Sequence, residues 1–231
     1  MTPTLLAELN RDRAAKRAAV LVTRLADGAQ TLLHPREEER PGAVEEAVWA
    51  AARAALQEDR ARTLGAEGAE VFVEPFNPPL RMILVGAVHI AQPLARMAQE
   101  VGFEVIVVDP RTRFASEARF GGIARRTGWP DDEIADLAPD ARTAVVTLTH
   151  DPKLDDPALR ATLRTAAFYV GALGSRKTQA ARLRRLREAG FGPDDLARIH
   201  GPVGLDIGAR SPAEIAAAVL AQVIQVLRVG S

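Results

Sequence analysis

The chain of 231 residues carries 30 basic and 30 acidic side chains, so its formal net charge is zero. This balance excludes a protein whose main task is to coat nucleic acid or an anionic membrane, because no overall charge attracts either partner. The absence of cysteine excludes disulfides, cysteine-ligated zinc, iron–sulfur clusters and a cysteine nucleophile. The start of the chain is too charged for a signal peptide, and no apolar run reaches about 18 residues, so we expect a cytoplasmic protein.

Residues 1–77 are predicted to form a small N-terminal α+β module. The predicted elements are a helix over residues 4–17, strands over 18–25 and 30–33, a helix over 43–61 and a strand over 70–74. The two strands before residue 34 flank Asp27-Gly28, a pair typical of a hairpin turn. The prolines at positions 75, 78 and 79 mark the boundary to the next domain.

Residues 78–231 alternate between strands and helices. We predict strands over 82–85, 104–108, 143–148 and 168–173, and helices over 90–100, within 157–167, and over 176–189 and 212–228. Strands that are apolar on both faces and separated by helices indicate a parallel sheet covered on both sides. The fold class is therefore α/β, a Rossmann-like doubly wound parallel sheet preceded by the small module.

The segment after the first of these strands resembles a dinucleotide-binding turn with one change. It reads Gly86-Ala87-Val88-His89, whereas the dinucleotide fingerprint requires glycine at the position of Val88, where the backbone approaches the pyrophosphate. Asp109 ends the second strand, at the distance expected of a ribose-binding carboxylate. We favour a Rossmann-type fold whose dinucleotide site is lost or modified over one that binds NAD.

The stretch FYVGALGSRKT, from Phe168 to Thr178, predicts an anion cradle. A strand runs into glycines at 171 and 174, Ser175 occupies a helix N-cap position, and Arg176 and Lys177 open the helix. Exposed helix N–H groups beside glycine turns bind phosphate, and the two cations would reinforce this. Arg176 replaces the glycine of a Walker motif, so ATP hydrolysis is not expected. An ordinary capped helix is the alternative.

Two other segments carry polar side chains into the expected site. His150 and Asp151 follow the third strand and either form a polar wall around a ligand or merely begin the next helix. The glycine-rich loop of residues 199–210 precedes a capping box at Ser211–Glu214. Asp206 in this loop either orients a ligand donor or holds the loop together. The histidines and aspartates lack ligand spacing, so no metal site is predicted.

The arginines at positions 182, 184, 185 and 187 follow the predicted cradle. Such a run usually forms a solvated helix face, and its next interpretation is a docking surface for an acidic protein. Nucleic acid ranks third because no aromatic residues interleave the run.

The motifs together resemble the XdhC/CoxI family, the accessory factors of xanthine dehydrogenase and related molybdenum hydroxylases. The resemblance covers Leu80–Val229 and is carried by LVGAVHIA, GFEVIVVDPRTRFA, LTHD, YVGALGSRKT and, most specifically, IHGPVGLDIGARSPAEIA. It implies a chaperone-like factor that binds the molybdenum cofactor (molybdopterin) during its sulfuration by a cysteine desulfurase. The factor then hands the cofactor to the apo-hydroxylase.

The sequence departs from this family in two places. Val88 replaces the second glycine of Gly-Ala-Gly-His, and residues 1–77 contain neither the Ser-x-Pro-Arg stretch nor the Gly-Gly-Cys motif of full-length members. We therefore expect a short form of the family with a different N-terminal module, with a homodimer as one arrangement.

The candidate cofactor-binding residues lie in the loops after the predicted strands. They are Gly86, His89, Asp109, Arg111, His150, Asp151, Gly171, Gly174, Ser175, Arg176, Lys177, Gly204, Asp206 and Gly208. The alternatives are an NAD(P)-binding oxidoreductase, in which Asp109 holds the ribose and a histidine donates a proton, and a non-catalytic scaffold that docks through the arginine-rich helix. No nucleic acid or membrane partner is expected, and no catalytic residue is assigned.

Overall fold

The computed structural model describes residues 1–36, 39–65 and 69–229. The chain divides into two compact units, Met1–Pro79 and Leu80–Ser231, and each is described by itself.

The N-terminal unit is built on an antiparallel sheet. Its elements are α1 (Pro3–Ala14), β1 (Ala19–Arg24), β2 (Gln30–Leu33), α2 (Glu46–Glu58), β3 (Arg62–Leu64) and β4 (Val71–Phe76), with strand order β2-β1-β4-β3. The predicted hairpin is confirmed, since Val20 pairs with Leu33 and Thr23 with Gln30. Helix α2 buries Trp49 and Leu56 in one apolar cluster with residues of this sheet.

Two features of this sheet differ from the sequence prediction. Strand β4 continues through Pro75, opposite Val20, although the strand was expected to end at residue 74. Proline is tolerated there because the neighbouring β3 pairs only with residues 71–73, so no partner on that side needs its missing N–H. The three-residue strand β3 was not predicted.

The C-terminal unit confirms the predicted Rossmann-like doubly wound fold. Its elements are β5 (Leu80–Val85), α3 (Ala91–Glu100), β6 (Phe103–Val108), α4 (Glu117–Phe120), β7 (Ala124–Arg126), α5 (Pro130–Leu137), β8 (Thr143–Thr147), α6 (Pro152–Leu163), β9 (Tyr169–Ala172), α7 (Arg176–Glu188), α8 (Pro193–Ala197), β10 (Ile199–His200) and α9 (Pro212–Val229). The six strands are all parallel, in the order β10-β9-β8-β5-β6-β7. The order reverses between β5 and β8, and ligands of such sheets bind beyond the carboxyl ends of the strands at this point.

Both faces of the sheet are covered, as the apolar strands predicted. Strand β5 is buried along its whole length. Its Met82 and Leu84 belong to the core cluster formed with α3 and α9, whereas Ile83 and Val85 belong to the cluster formed with α5, α6 and α7. This alternation follows from the two-residue period of a strand.

Several short elements were not predicted. The segment between β6 and β8, where no helix or strand was predicted, contains α4, β7 and α5, and the segment before His200 contains α8. Helix α6 begins at Pro152 instead of near residue 157, because the Asp151 side chain accepts the N–H of Lys153 and caps the helix.

Helix α9 is 18 residues long and apolar enough, by length and composition alone, to cross a membrane. Its Ala216, Val219 and Val223 are buried in the cluster shared with α3. One face of the helix therefore packs into the core.

A substitution at Gly86 tests how closely the carboxyl end of β5 is packed. It has a φ of +111°, and an added Cβ would lie 2.5 Å from Cγ2 of Thr149. We expect Gly86→Ala to lower the free energy of unfolding by about 2–4 kcal/mol, measured in urea. Gly102→Ala is the control, because Gly102 has a φ of +93° but open space around the new Cβ, and should cost about 1 kcal/mol. Equal losses in the two variants would contradict the steric role of Thr149.

Candidate functional site

Asp109 ties the loop after β6 to the loop after β5. Its side chain is fully buried and accepts the N–H of Ala87 at 2.7 Å. It also accepts two bonds from the Arg111 guanidinium, at 2.9 and 2.8 Å, and the N–H of Arg111 at 2.9 Å. Burial alone would raise the pKa of Asp109, but these hydrogen bonds outweigh it and hold the pKa below its ordinary value.

Asp155 organises the loop after β8. The buried carboxylate accepts the Thr149 hydroxyl at 2.6 Å, the Thr149 N–H at 3.3 Å and the His150 N–H at 3.1 Å. His150 has a φ of +62°, which a residue with a side chain rarely adopts, and the bond from its N–H to Asp155 helps to hold it there. Burial raises the pKa of Asp155, although Thr149 and Arg182 act against that shift.

Arg182 connects this loop to the loop after β9. Its side chain is 2% exposed, and its guanidinium donates to the Gln179 side chain at 2.7 Å and to the Leu173 carbonyl at 2.8 Å. An oxygen of Asp155 lies 3.6 Å from Nη2 of Arg182. The pair therefore joins β8, β9 and α7 beneath the carboxyl edge of the sheet.

The start of α7 leaves a row of backbone donors open. Ser175 is the N-cap, as predicted, and its hydroxyl accepts the N–H of Thr178. Within the described residues, the N–H groups of Gly174, Ser175, Arg176 and Lys177 donate to no protein acceptor. Four consecutive open donors at a helix start favour an anion.

A first cleft, named the loop cleft, lies beside this helix start. Its volume is about 490 Å³, and it is lined by Leu173, Gly174, Arg176, Pro202, Val203, Gly204, Leu205, Asp206, Ile207, Gly208, Ala209, Ile215 and Ala218. Gly204 donates its N–H to the Gln222 side chain, and Leu205 to the Ala218 carbonyl, so α9 supports the loop. Ile207 in this loop is 60% exposed.

A second cleft, named the helix cleft, lies between α6 and α7. Its volume is about 270 Å³, and it is lined by His150, Pro152, Asp155, Asp156, Lys177, Thr178, Ala181, Arg182 and Arg185. Arg185 makes a bidentate ion pair with Asp156, at 2.5 and 2.9 Å. Arg176 and Lys177, expected to hold one phosphate together, thus line different clefts.

The remaining candidate residues lie outside these two clefts. Gly86 and Asp109 shape the loops, and Arg111 stacks on the Phe114 ring at 4.6 Å. His89 is exposed. Asp151 and Ser175 serve as helix caps. Gly171 is buried within β9, where a Cβ would lie 2.7 Å from Val203, so it does not belong to the helix-start donors.

The roles expected of Val88 and Asp109 in a dinucleotide site differ from those in the structure. Val88 was expected to stand in the way of a pyrophosphate, but it packs against the apolar core. Asp109 was expected to meet a ribose, but its oxygens already hold Ala87 and Arg111. The site is therefore modified mainly by the engagement of Asp109.

Sequence reasoning missed the buried residues that build the site. Asp155 and Arg182 were overlooked, the latter because the arginine run was interpreted as a solvated face. Gly201 was also missed. Only glycine fits there, because a Cβ would lie 2.2 Å from the Gln179 side chain. The Gly201-Pro202 peptide bond is cis. The signal for Arg182 is its spacing from Gln179 and Leu186, three and four residues away, which places all three on the buried face of α7.

No group of three or more histidine, aspartate or glutamate side chains is placed to hold a metal ion in the part of the chain that the structure describes. His200 stacks on the Tyr169 ring at 4.6 Å, and burial lowers its pKa. It therefore packs in the fold and lines neither cleft.

Comparison with known proteins shows which protein family the C-terminal unit matches. A model of the XdhC Rossmann domain matches residues 82–223. The chain is 33% identical over 156 residues to a probable xanthine dehydrogenase subunit of Bacillus subtilis, covering 67% of this chain and 45% of that protein. It is 39% identical over 111 residues to the molybdenum cofactor insertion chaperone PaoD of Escherichia coli, covering 45% of this chain and 35% of the chaperone.

Two further similarities extend these findings. An uncharacterized Escherichia coli protein, YqeB, is 32% identical over 168 residues, or 68% of this chain and 29% of that protein. A crystal structure of a xanthine dehydrogenase from Bacillus halodurans has the same fold, with a TM-score of 0.70 and 23% identity over 99% of this chain and 65% of that one. The chain spans less than half the length of the three curated relatives.

The Asp109–Arg111 pair predicts a pH-dependent stability. Because the pKa of Asp109 is lowered by folding, its stabilisation is present above about pH 4 and lost as pH falls through the folded pKa. We expect Asp109→Asn to cost about 3 kcal/mol at pH 7, with a difference from the wild type that shrinks below about pH 4. Urea unfolding from pH 7 to pH 3 measures this.

The matched control is Asp136→Asn, at an exposed carboxylate of α5. It should change the free energy of unfolding by less than about 0.5 kcal/mol at every pH. An Asp109→Asn cost that stayed constant down to pH 3 would contradict the ion pair as its source.

Proposed function

This chain belongs to the XdhC family, and we propose that it is an accessory factor that binds the molybdenum cofactor and helps to insert it into a molybdenum hydroxylase. The names of two relatives, an insertion chaperone and a probable xanthine dehydrogenase subunit, support this role. The observation that carries the proposal is the loop cleft, which gathers five of the candidate residues beside four open N–H donors.

The loop cleft suits the chemistry of a pterin phosphate. The open N–H groups at the start of α7 and the Arg176 guanidinium would hold the phosphate. Asp206 offers a carboxylate that would accept N–H bonds from a pterin ring, and Leu173, Val203 and Ile215 offer apolar surface. The volume of about 490 Å³ lies within the usual range for small-molecule sites.

The open face of the loop favours transfer of a cargo over a permanently buried cofactor. Asp206, Ile207 and Gly208 are all exposed. Ile207 is 60% exposed, and in this proposal a docked partner covers it. We place the hydroxylase apoprotein on this side, where it would meet the cofactor directly.

Sulfuration of the cofactor requires a partner in this proposal. The 231 residues contain no cysteine, so no persulfide can form on them. A cysteine desulfurase would supply the sulfur, and these residues would hold the cofactor in place while it does so.

The two alternative functions have less support. A nicotinamide enzyme needs a carboxylate for the ribose, and Asp109 is committed to Ala87 and Arg111. A scaffold docking through an arginine face needs the whole run exposed, whereas only Arg184 and Arg187 are exposed. Arg182 is buried and Arg185 is paired with Asp156.

Calorimetric titration with the molybdenum cofactor under anaerobic conditions tests the proposal, with NADH and NADPH titrated in parallel. We expect cofactor binding that Arg176→Ala weakens about tenfold or more, because a charge-assisted hydrogen bond is lost. Arg187→Ala removes the same charge from the exposed far end of α7 and should leave the affinity unchanged. Binding of NADH or NADPH alone, or an equal effect of both variants, would refute the proposal.

A further inference from the structure

The helix cleft holds more positive charge than its carboxylates neutralise. Three cations line it, Lys177, Arg182 and Arg185, against the carboxylates of Asp155 and Asp156. Both oxygens of Asp156 are engaged by Arg185. The charges that remain to be balanced are therefore those of Lys177 and Arg182 against Asp155 alone.

Asp155 pairs with Arg182 but does not use all of the guanidinium's donors. Its oxygens already accept the Thr149 hydroxyl and two backbone N–H groups, and the nearest guanidinium nitrogen is 3.6 Å away. Nε of Arg182 is buried and has no hydrogen-bond partner among the described residues. A buried guanidinium with an open donor strengthens the binding of an anion beside it, because the electrostatic attraction is larger where the local dielectric is low.

The same cleft offers donors that suit an oxyanion. Lys177 forms no ion pair with any described residue and lines the cleft next to Thr178. The Thr178 hydroxyl lies 2.9 Å from that of Ser175, and when Ser175 donates this bond the Thr178 proton is left for a ligand. His150 lines it from the loop after β8, held by the bond from its N–H to Asp155. Ammonium, imidazole and hydroxyl groups around about 270 Å³ match a small tetrahedral anion and its immediate substituent.

We propose that the helix cleft is a second anion site, which binds a tetrahedral oxyanion through Lys177, His150 and Thr178 above the buried Arg182. It is separate from the loop cleft, and α7 lies between the two. The ligand is either an inorganic oxyanion, such as phosphate or molybdate, or the terminal phosphate of a monoester. This site does not depend on the molybdenum cofactor binding in the loop cleft.

Nuclear magnetic resonance of the histidine rings tests the site on the full chain. The chain has four histidines, so the rings give few signals, and His150→Asn identifies the one from His150. Asparagine tolerates the left-handed backbone at this position, which protects the fold of the variant. We expect added phosphate to shift the His150 signals saturably while those of His34, which is buried against Asp12, stay in place.

Affinity measurements on variants complete the test. Lys177→Ala and His150→Asn should each weaken phosphate binding at least about fivefold. Arg184→Ala removes one charge from an exposed position of the same helix and should leave it unchanged. An unshifted His150 signal, or an equal loss in Arg184→Ala, would overturn the proposal.

Three ligands distinguish the sources of the anion. Tighter binding of glycerol phosphate than of phosphate would support the site as one for a monoester, and tighter binding of molybdate would support an inorganic oxyanion. Arg176→Ala should keep the His150 shift. A protein that shows this shift but binds no molybdenum cofactor would refute the proposed function and uphold the second site.

Discussion

The buried pair of Asp155 and Arg182 is the interaction on which the carboxyl edge of the sheet depends. The carboxylate fixes the backbone of residues 149 and 150, and the guanidinium fixes the carbonyl of Leu173 and the side chain of Gln179. Gln179 in turn occupies the space that Gly201 leaves free. The loops after β8, β9 and β10 therefore share one charged centre, whose loss would leave an unpaired charge in the interior.

The sequence predicted the fold well because the sheet is buried on both faces. A strand such as β5 is buried along all six residues and is apolar apart from Arg81, whose guanidinium donates to the carbonyls of Leu137 and Ala138. Apolar strands that alternate with helices predict a sheet covered on both faces. Short elements were missed because they carry little hydrophobic pattern. Helices α5 and α8 each begin with Pro-Asp-Asp, a proline followed by first-turn acids that favour a helix start, and this signal was available.

The sequence predicted individual features of the site, such as helix caps, but not which side chains line the same cleft. Glycines and helix caps follow from local backbone requirements, so Ser175 and Asp151 could be found from the sequence. Which cations face which cleft depends on tertiary packing: neighbouring residues of a helix point about 100° apart, and Arg176 and Lys177 consequently line different sides. The burial of Arg182 depends on a carboxylate 27 positions earlier, which local periodicity does not reveal.

The glycine-rich loop of residues 201–208 is fastened to α9 at several points. Gln222 accepts hydrogen bonds from both Tyr169 and Gly204, Leu205 donates to Ala218, and Gly204 lies against the backbone of Val219. Such a loop loses little conformational freedom when a ligand arrives, so more of the contact energy appears as affinity. This glycine-rich loop is thus preorganised, and a ligand in the loop cleft would meet a surface already in its bound shape.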